Sequence, residues 1–180
     1  FVLLILHAKL LITLLDFNIF AITVLHPLVN SFIEEVCVAI PPPIAVPAWA
    51  PTNGMPSPID AFAKITDDTQ WIHTDPEKSA LYSPYKKTVA HGFLVLSMVS
   101  RISFNAFSIE NIVAGINYGL DRVRFPNATK SDSTYRGRVS LMEFTEILGG
   151  AKYKLKIEIE IKGEDKPACI AEFLALAYTK

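Results

Sequence analysis

Cysteine is scarce in this chain: 180 residues carry two, Cys37 and Cys169, far apart and without CxxC or Cys/His ligand spacing. Neither a disulfide framework nor a zinc site is needed to organise it, and both residues read as buried or free thiols. Basic clusters are equally scarce. No run of Lys or Arg exceeds two residues and the net charge is -1, so the charged footprint of a nucleic-acid binder is missing and nucleic acid is not expected as a partner. Familiar catalytic signatures are missing as well. There is no GxSxG elbow, no phosphate-binding glycine loop and no HExxH helix, and neither cysteine has a base beside it in sequence to activate a thiolate.

What is present is apolar and unevenly distributed. Hydrophobic residues make up 51% of the chain and charged residues 19%, a composition that folds rather than stays disordered. The first third, "FVLLILHAKLLITLLDFNIFAITVLHPLV" (residues 1–29), is almost wholly apolar, yet Lys9 and Asp16 interrupt it, and the uncharged run from Phe17 to Ile33 contains Asn18, His26, Pro27 and Asn30. A membrane span wants about 20 consecutive apolar residues, so this is a weak candidate. Lys9, Thr13 and Asp16 share one helical stripe, as on a helix packed into protein with one narrow wet edge. A basic start and a small-residue cleavage site, which would mark a signal sequence, are both lacking. Compartment stays open, with the cytoplasm as the default and the mitochondrion or peroxisome as alternatives.

The proline-rich "IPPPIAVPAWAPTNGMPSP" (residues 40–58) cannot continue a helix or a central strand, because each proline removes a donor and sets its own φ. It reads as a connector. Two domain-level segments follow: an apolar extension and connector over residues 1–56, with "SFIEEVCVAI" (residues 31–40) as the candidate first strand, and a folded domain over residues 57–180.

Within that domain Ser57 and Pro58 start a short helix with Ile59, Phe62, Ala63 and Ile65 on one face. Asp75 and Pro76 repeat the signal for a second helix over residues 76–82. Between them the loop "TDDTQWIHTDPEKS" (Thr66 to Ser79) holds Asp68 and His73. "HGFLVLSMVSRISFNAF" (His91 to Phe107) is apolar nearly all round, as expected of a helix buried on most faces. The period then changes. In "KYKLKIEIEIK" (Lys152 to Lys162) apolar residues alternate with Lys and Glu, which marks a strand with one buried face. "NYGLDRVRF" (Asn117 to Phe125), "RGRVSLMEF" (Arg136 to Phe144) and "ACIAEFLALAYT" (residues 168–179) complete a four-strand series, with turns at Gly149-Gly150 and Gly163 to Pro167. The outcome is an α+β domain in which an antiparallel sheet wraps one long helix.

Asp68 and His73 together can hold and activate a water, and placed against Trp71 and Ile72 both would be partly desolvated. By spacing alone, a turn aspartate and a hydrogen-bonded histidine are the commoner outcome, and Asp67 is placed as well as Asp68. Gly92 opens the long helix, where free N–H groups and the helix dipole favour developing negative charge and the absent side chain lets a ligand approach. Ser97 and Ser100 follow on the same helix. A lone serine there most often bonds back to the preceding turn.

Four segments in order, "FAKITDDTQWIHTDPEKS", "KKTVAHGFLVLSMVS", "GINYGLDRVRFP" and "GEDKPACIAEF", resemble the MaoC-like, R-specific enoyl-CoA hydratase family, close to its NodN-like branch. The resemblance implies a hot-dog fold and a hydro-lyase of fatty acid metabolism that adds water to trans-2-enoyl thioesters of coenzyme A or acyl-carrier protein, with no metal or redox cofactor and with a homodimeric assembly. It places the catalytic aspartate on Asp68, the histidine on His73, the oxyanion glycine on Gly92 and a serine orienting the aspartate on Ser100. Ser97, Trp71, Asn117 and Arg124 become candidate substrate contacts. The matching role of Arg122 and Arg124 is open, since both suit a sheet surface. Asp67 departs from the family, which has glycine or a small residue there, and residues 1–56 lack the family's usual opening strand and turn. A hot-dog thioesterase and a non-catalytic acyl-thioester-binding module are the alternatives. Thioesterases of this fold usually carry an acidic residue on the central helix, and His91 to Phe107 has none.

Overall fold

A computed structural model of the chain describes residues 56–179. The expectations for residues 1–55, namely the apolar extension, the connector and a first strand near residues 31–40, lie outside the described residues.

Local sequence signals set the first three helices. The Ser57 hydroxyl accepts the Asp60 N–H at 3.1 Å, with proline at the first turn, and α1 runs Pro58–Thr66. Asp67 closes it in the left-handed region, φ 59°. The expected loop then contains a single helical turn, α2 (Trp71–Thr74), so His73 sits on a helix rather than in a loop. Gln70 and Asp75 bracket that turn through backbone bonds, His73 N–H to Gln70 and Asp75 N–H to Trp71. Such a short turn carries no apolar period to reveal it in sequence. The Asp75 carboxylate caps the Lys78 N–H at 2.8 Å and opens α3, Pro76–Tyr82, as expected.

The long helix, α4, spans Gly92–Ala106 and buries Leu94, Val95, Val99, Ser103 and Ala106 on one side. A stripe on its other side is exposed among the described residues, with Phe93 70% and Phe104 81% exposed. As expected, α4 is buried or half-buried on most of its faces, and Phe93, Ser97, Arg101, Phe104 and Asn105 form the one exposed stripe. The four strands are β1 (Ile112–Arg124), β2 (Tyr135–Ile147), β3 (Gly150–Ile161) and β4 (Cys169–Thr179), all antiparallel, in spatial order β1-β4-β3-β2. Alternation in β3 puts Leu155, Ile157, Ile159 and Ile161 into the core beneath α4, each contributing about 1.5–3 kcal/mol by burial. The intervening Lys156, Glu158 and Glu160 face the other way, where Arg138 pairs with Glu160 at 3.0 Å. Gly137 lets the helix come close to the sheet, since a Cβ there would lie 2.3 Å from Ile102. Gly149, at φ 77°, turns β2 into β3.

Strand β1 differs from the other three. It lies at an edge and leaves Ile112, Val113, Ile116, Tyr118 and Leu120 uncovered. It also flanks the open side of α4: Phe125, just past its end, meets Phe93 edge-on, and Asn117 donates to the Ser100 hydroxyl at 3.2 Å. No helix among the described residues is long and apolar enough to cross a membrane.

Candidate functional site

The site is organised by the strap Thr88 to His91, which leads into α4. Val89 N–H donates to Ile72 at 3.0 Å, Ala90 N–H to Thr129 at 2.7 Å, and Ser131 N–H to Thr88 at 2.9 Å. Two imidazoles complete the lacing. His73 Nδ1–H donates to the Val89 carbonyl at 2.6 Å, and His91 Nε2–H donates to the Asp68 carbonyl at 2.9 Å. A carbonyl oxygen only accepts, so both tautomers are set by their partners. His73 therefore carries its lone pair on Nε2.

The two rings stack, with centroids 3.7 Å apart and planes 23° from parallel, and Phe62 packs against His91 at 5.1 Å. His73 is half-buried. Burial is the largest influence on its pKa and pushes it below 6.5; the nearby His91 acts in the same direction, while the Val89 bond and the Asp68 carboxylate oppose it. At neutral pH Nε2 is thus free to accept a proton. The Asp68 side chain is 55% exposed, with Oδ2 3.9 Å from His91 Nε2. The expected partial desolvation holds for His73 and not for Asp68. Asp67 is the left-handed residue that closes α1 and is itself exposed, at a backbone position that favours a residue without Cβ.

Asp68, His73 and His91 bring three metal-type donors within 4.8 Å of one another. One nitrogen of each ring donates to a carbonyl, which leaves one lone pair per ring, on His73 Nε2 and His91 Nδ1.

Gly92 starts α4 directly after His91, and no side chain caps that end, so its first N–H groups lack side-chain partners. A Cβ on Gly92 would meet the Phe125 ring at 3.1 Å. Ser100 lies eight residues along α4, about 12 Å of helix axis, and its hydroxyl accepts from Asn117 and does not donate to Asp68. The expected serine–aspartate bond is not made within the chain. Ser97 bonds back to Leu94 at 2.7 Å, the ordinary fate of a helical serine. Trp71 lies under the Lys78 ammonium, 5.3 Å from the ring centre. Arg124 is exposed and donates to the Val123 carbonyl. The fold thus brings Asp68 and His73 together at His91, next to Gly92, and joins Ser100 of α4 to Asn117 of β1, whereas Ser97 and Arg124 bond to backbone carbonyls of their own elements.

His91 is the residue that sequence reasoning passed over. Its signal was its place in "AHGF", where a helix usually begins with Ser, Thr, Asp or Asn. A histidine that occupies this position without capping has another task.

The model of the MaoC-like domain matches residues 39–160. Nodulation protein N of Rhizobium leguminosarum bv. viciae is 40% identical over 121 residues, covering 66% of this chain and 74% of that protein. The 3-hydroxyacyl-thioester dehydratase Z of Mycobacterium tuberculosis (strain ATCC 25618 / H37Rv) is 36% identical over 115 residues, covering 63% and 76%. Among solved structures, the R-hydratase PhaJ1 from Pseudomonas aeruginosa shares the fold with a TM-score of 0.56 at 17% identity, covering 68% of this chain and 74% of that one. The sheet and α4 are those of a hot-dog fold, and the chain belongs to the MaoC-like domain family.

Proposed function

We propose that the protein is a hydro-lyase that reversibly adds water to trans-2-enoyl thioesters, giving R-3-hydroxyacyl thioesters. The carrying observation is the meeting, in a chain of this family, of Asp68 and His73, whose donor atoms lie within 4.8 Å of one another, with the uncapped start of α4. His73 Nε2 accepts a proton from a water held by the Asp68 carboxylate while the water oxygen bonds to C3 of the substrate. Charge gathers on the thioester oxygen, and the N–H groups at Gly92 stabilise it there. The proton then returns to C2 through the pair. Atoms balance, and no redox cofactor enters.

The thioester is one of coenzyme A or of an acyl-carrier protein, and its acyl chain lies along the exposed side of α4, past Ser97, Ser100 and Asn117. A second copy of the chain covers β1 and that side of α4. The support is the uncovered apolar edge at Ile112, Val113, Ile116, Tyr118 and Leu120 together with Phe93 and Phe104, since a long apolar edge strand left open invites pairing.

The test mixes the purified protein with crotonyl-CoA and follows the enoyl-thioester absorbance together with free thiol. Decay of the band without thiol supports hydration. Thiol release makes the protein a thioesterase, and binding without change makes it an acyl-thioester-binding module.

A further inference from the structure

His91 takes no part in the reaction described above, yet it is a fully buried polar side chain at the centre of the site. It is 3% exposed and sits between Phe62 of α1 and His73 of α2. Its Nε2–H is committed to the Asp68 carbonyl, and its Nδ1 is buried without a hydrogen-bond partner among the described residues. Leaving a buried nitrogen unpaired is unfavourable, so the remaining contacts must offset that cost. Helix capping is not one of them. The titratable groups that face the ring are Asp68, from the turn after α1, and His73, from α2; α1 itself presents the apolar Phe62.

The contacts do two things. The Nε2–H bond ties the peptide of Asp68 to the first residue before α4, so the carboxylate, the helix start and Gly92 move as one piece. The ring face lies flat on His73, whose opposite nitrogen is already held by Val89. Held at two points, His73 has little freedom to turn Nε2 away from Asp68.

We propose that His91 is a positioning residue for the Asp68–His73 pair, its Nε2–H locating Asp68 and its ring face holding His73 with Nε2 presented as a free base. Catalytic consequences of this role rest on the hydratase reading, whereas the structural ones do not. The effect of His91 on the charge state of His73 points the same way, since it disfavours the protonated ring.

Three variants separate the two contacts. His91→Gln keeps an amide N–H near the position of Nε2 but loses the ring face; His91→Phe keeps the face and loses the donor; His91→Asn loses both. The first measurement is the 1H–15N spectrum of the imidazoles in the full chain without substrate, which reads the tautomer and titration midpoint of His73. The midpoint is expected to rise toward 6.5 in His91→Gln and His91→Asn and to rise less in His91→Phe, which keeps the covering face and removes only the influence of the neighbouring imidazole's charge. The second is kcat and KM for crotonyl-CoA. A sub-ångström loss of position predicts a fall of about 10–100-fold in kcat with KM unchanged, because His91 does not touch substrate, and His91→Gln should retain more activity than His91→Asn. An unmoved His73 midpoint in every folded variant overturns the proposal, as does a kcat within about twofold of the parent. If the parent protein hydrates no enoyl thioester, the hydratase reading fails and the spectra alone decide the role of His91.

Discussion

A backbone N–H is removed only by proline, which also fixes φ, so the role of Gly92 is tested by what is added to it. Gly92→Ala places a Cβ 3.1 Å from two atoms of the Phe125 ring and 3.2 Å from a third. Ordinary contact begins near 3.4 Å, so the ring must withdraw by a few tenths of an ångström. Phe125 is partly exposed and its backbone lies beyond the end of β1, so it can yield. The stability cost is correspondingly small, within about 1 kcal/mol, and the better helix propensity of alanine offsets part of it. Catalysis is a different matter, because the added methyl stands beside the N–H groups assigned to the thioester oxygen. Loss of one oxyanion donor typically costs about 10²–10³-fold, and partial obstruction should fall below that, at about 10–100-fold in kcat. Thermal unfolding and initial rates with crotonyl-CoA are measured on the same preparation. A Gly92→Ala protein that is both as stable and as active as the parent would refute the assignment of the oxyanion site to the start of α4.

Other consequences are equally specific. Because the folded state holds the His73 pKa below 6.5 through burial, the unfolded chain takes up that proton first as pH falls. Its contribution to stability is complete above 6.5 and is lost as pH drops through the lower folded value; kcat/KM should show an acid limb with its midpoint below 6.5, and a limb above 6.5 would contradict this. Asp67→Gly relieves a left-handed residue at φ 59° and should raise stability by about 0.5–1 kcal/mol in urea unfolding, with activity retained. Cys169 is fully buried and its thiol is pushed up to about 11 by burial; mass mapping after iodoacetamide at neutral pH should find it unmodified in the native protein and modified after unfolding.

The fold was legible where side-chain period and caps carry it. Alternation in Lys152 to Lys162 identified β3, and the Ser57-Pro58 and Asp75-Pro76 pairs located two helix starts. Two features were not legible. The single turn of α2 depends on backbone bonds and has no period, so His73 was placed in a loop. The near-uniform hydrophobicity of α4 indicated burial on most faces but not which stripe stays open, since Phe93 and Phe104, exposed among the described residues, look in sequence like residues of the core. At the site, the Asp68, His73 and Gly92 positions followed from the resemblance, but their mutual arrangement depends on the strap from Thr88 to His91. The bonds of that strap join residues 16 and 23 positions apart, which no local pattern reports. Ser100 illustrates the same limit, since its partner proved to be Asn117 on β1.

The central claim is that Asp68 and His73 activate one water for addition to an enoyl thioester. The most direct measurement is the decay of the crotonyl-CoA enoyl absorbance in the parent, in Asp68→Asn and in His73→Gln, with free thiol followed in parallel and folding checked by circular dichroism. Decay in the parent without thiol, lowered about 10²–10⁴-fold in each folded variant, is the predicted result. Undiminished decay in either folded variant would contradict the account.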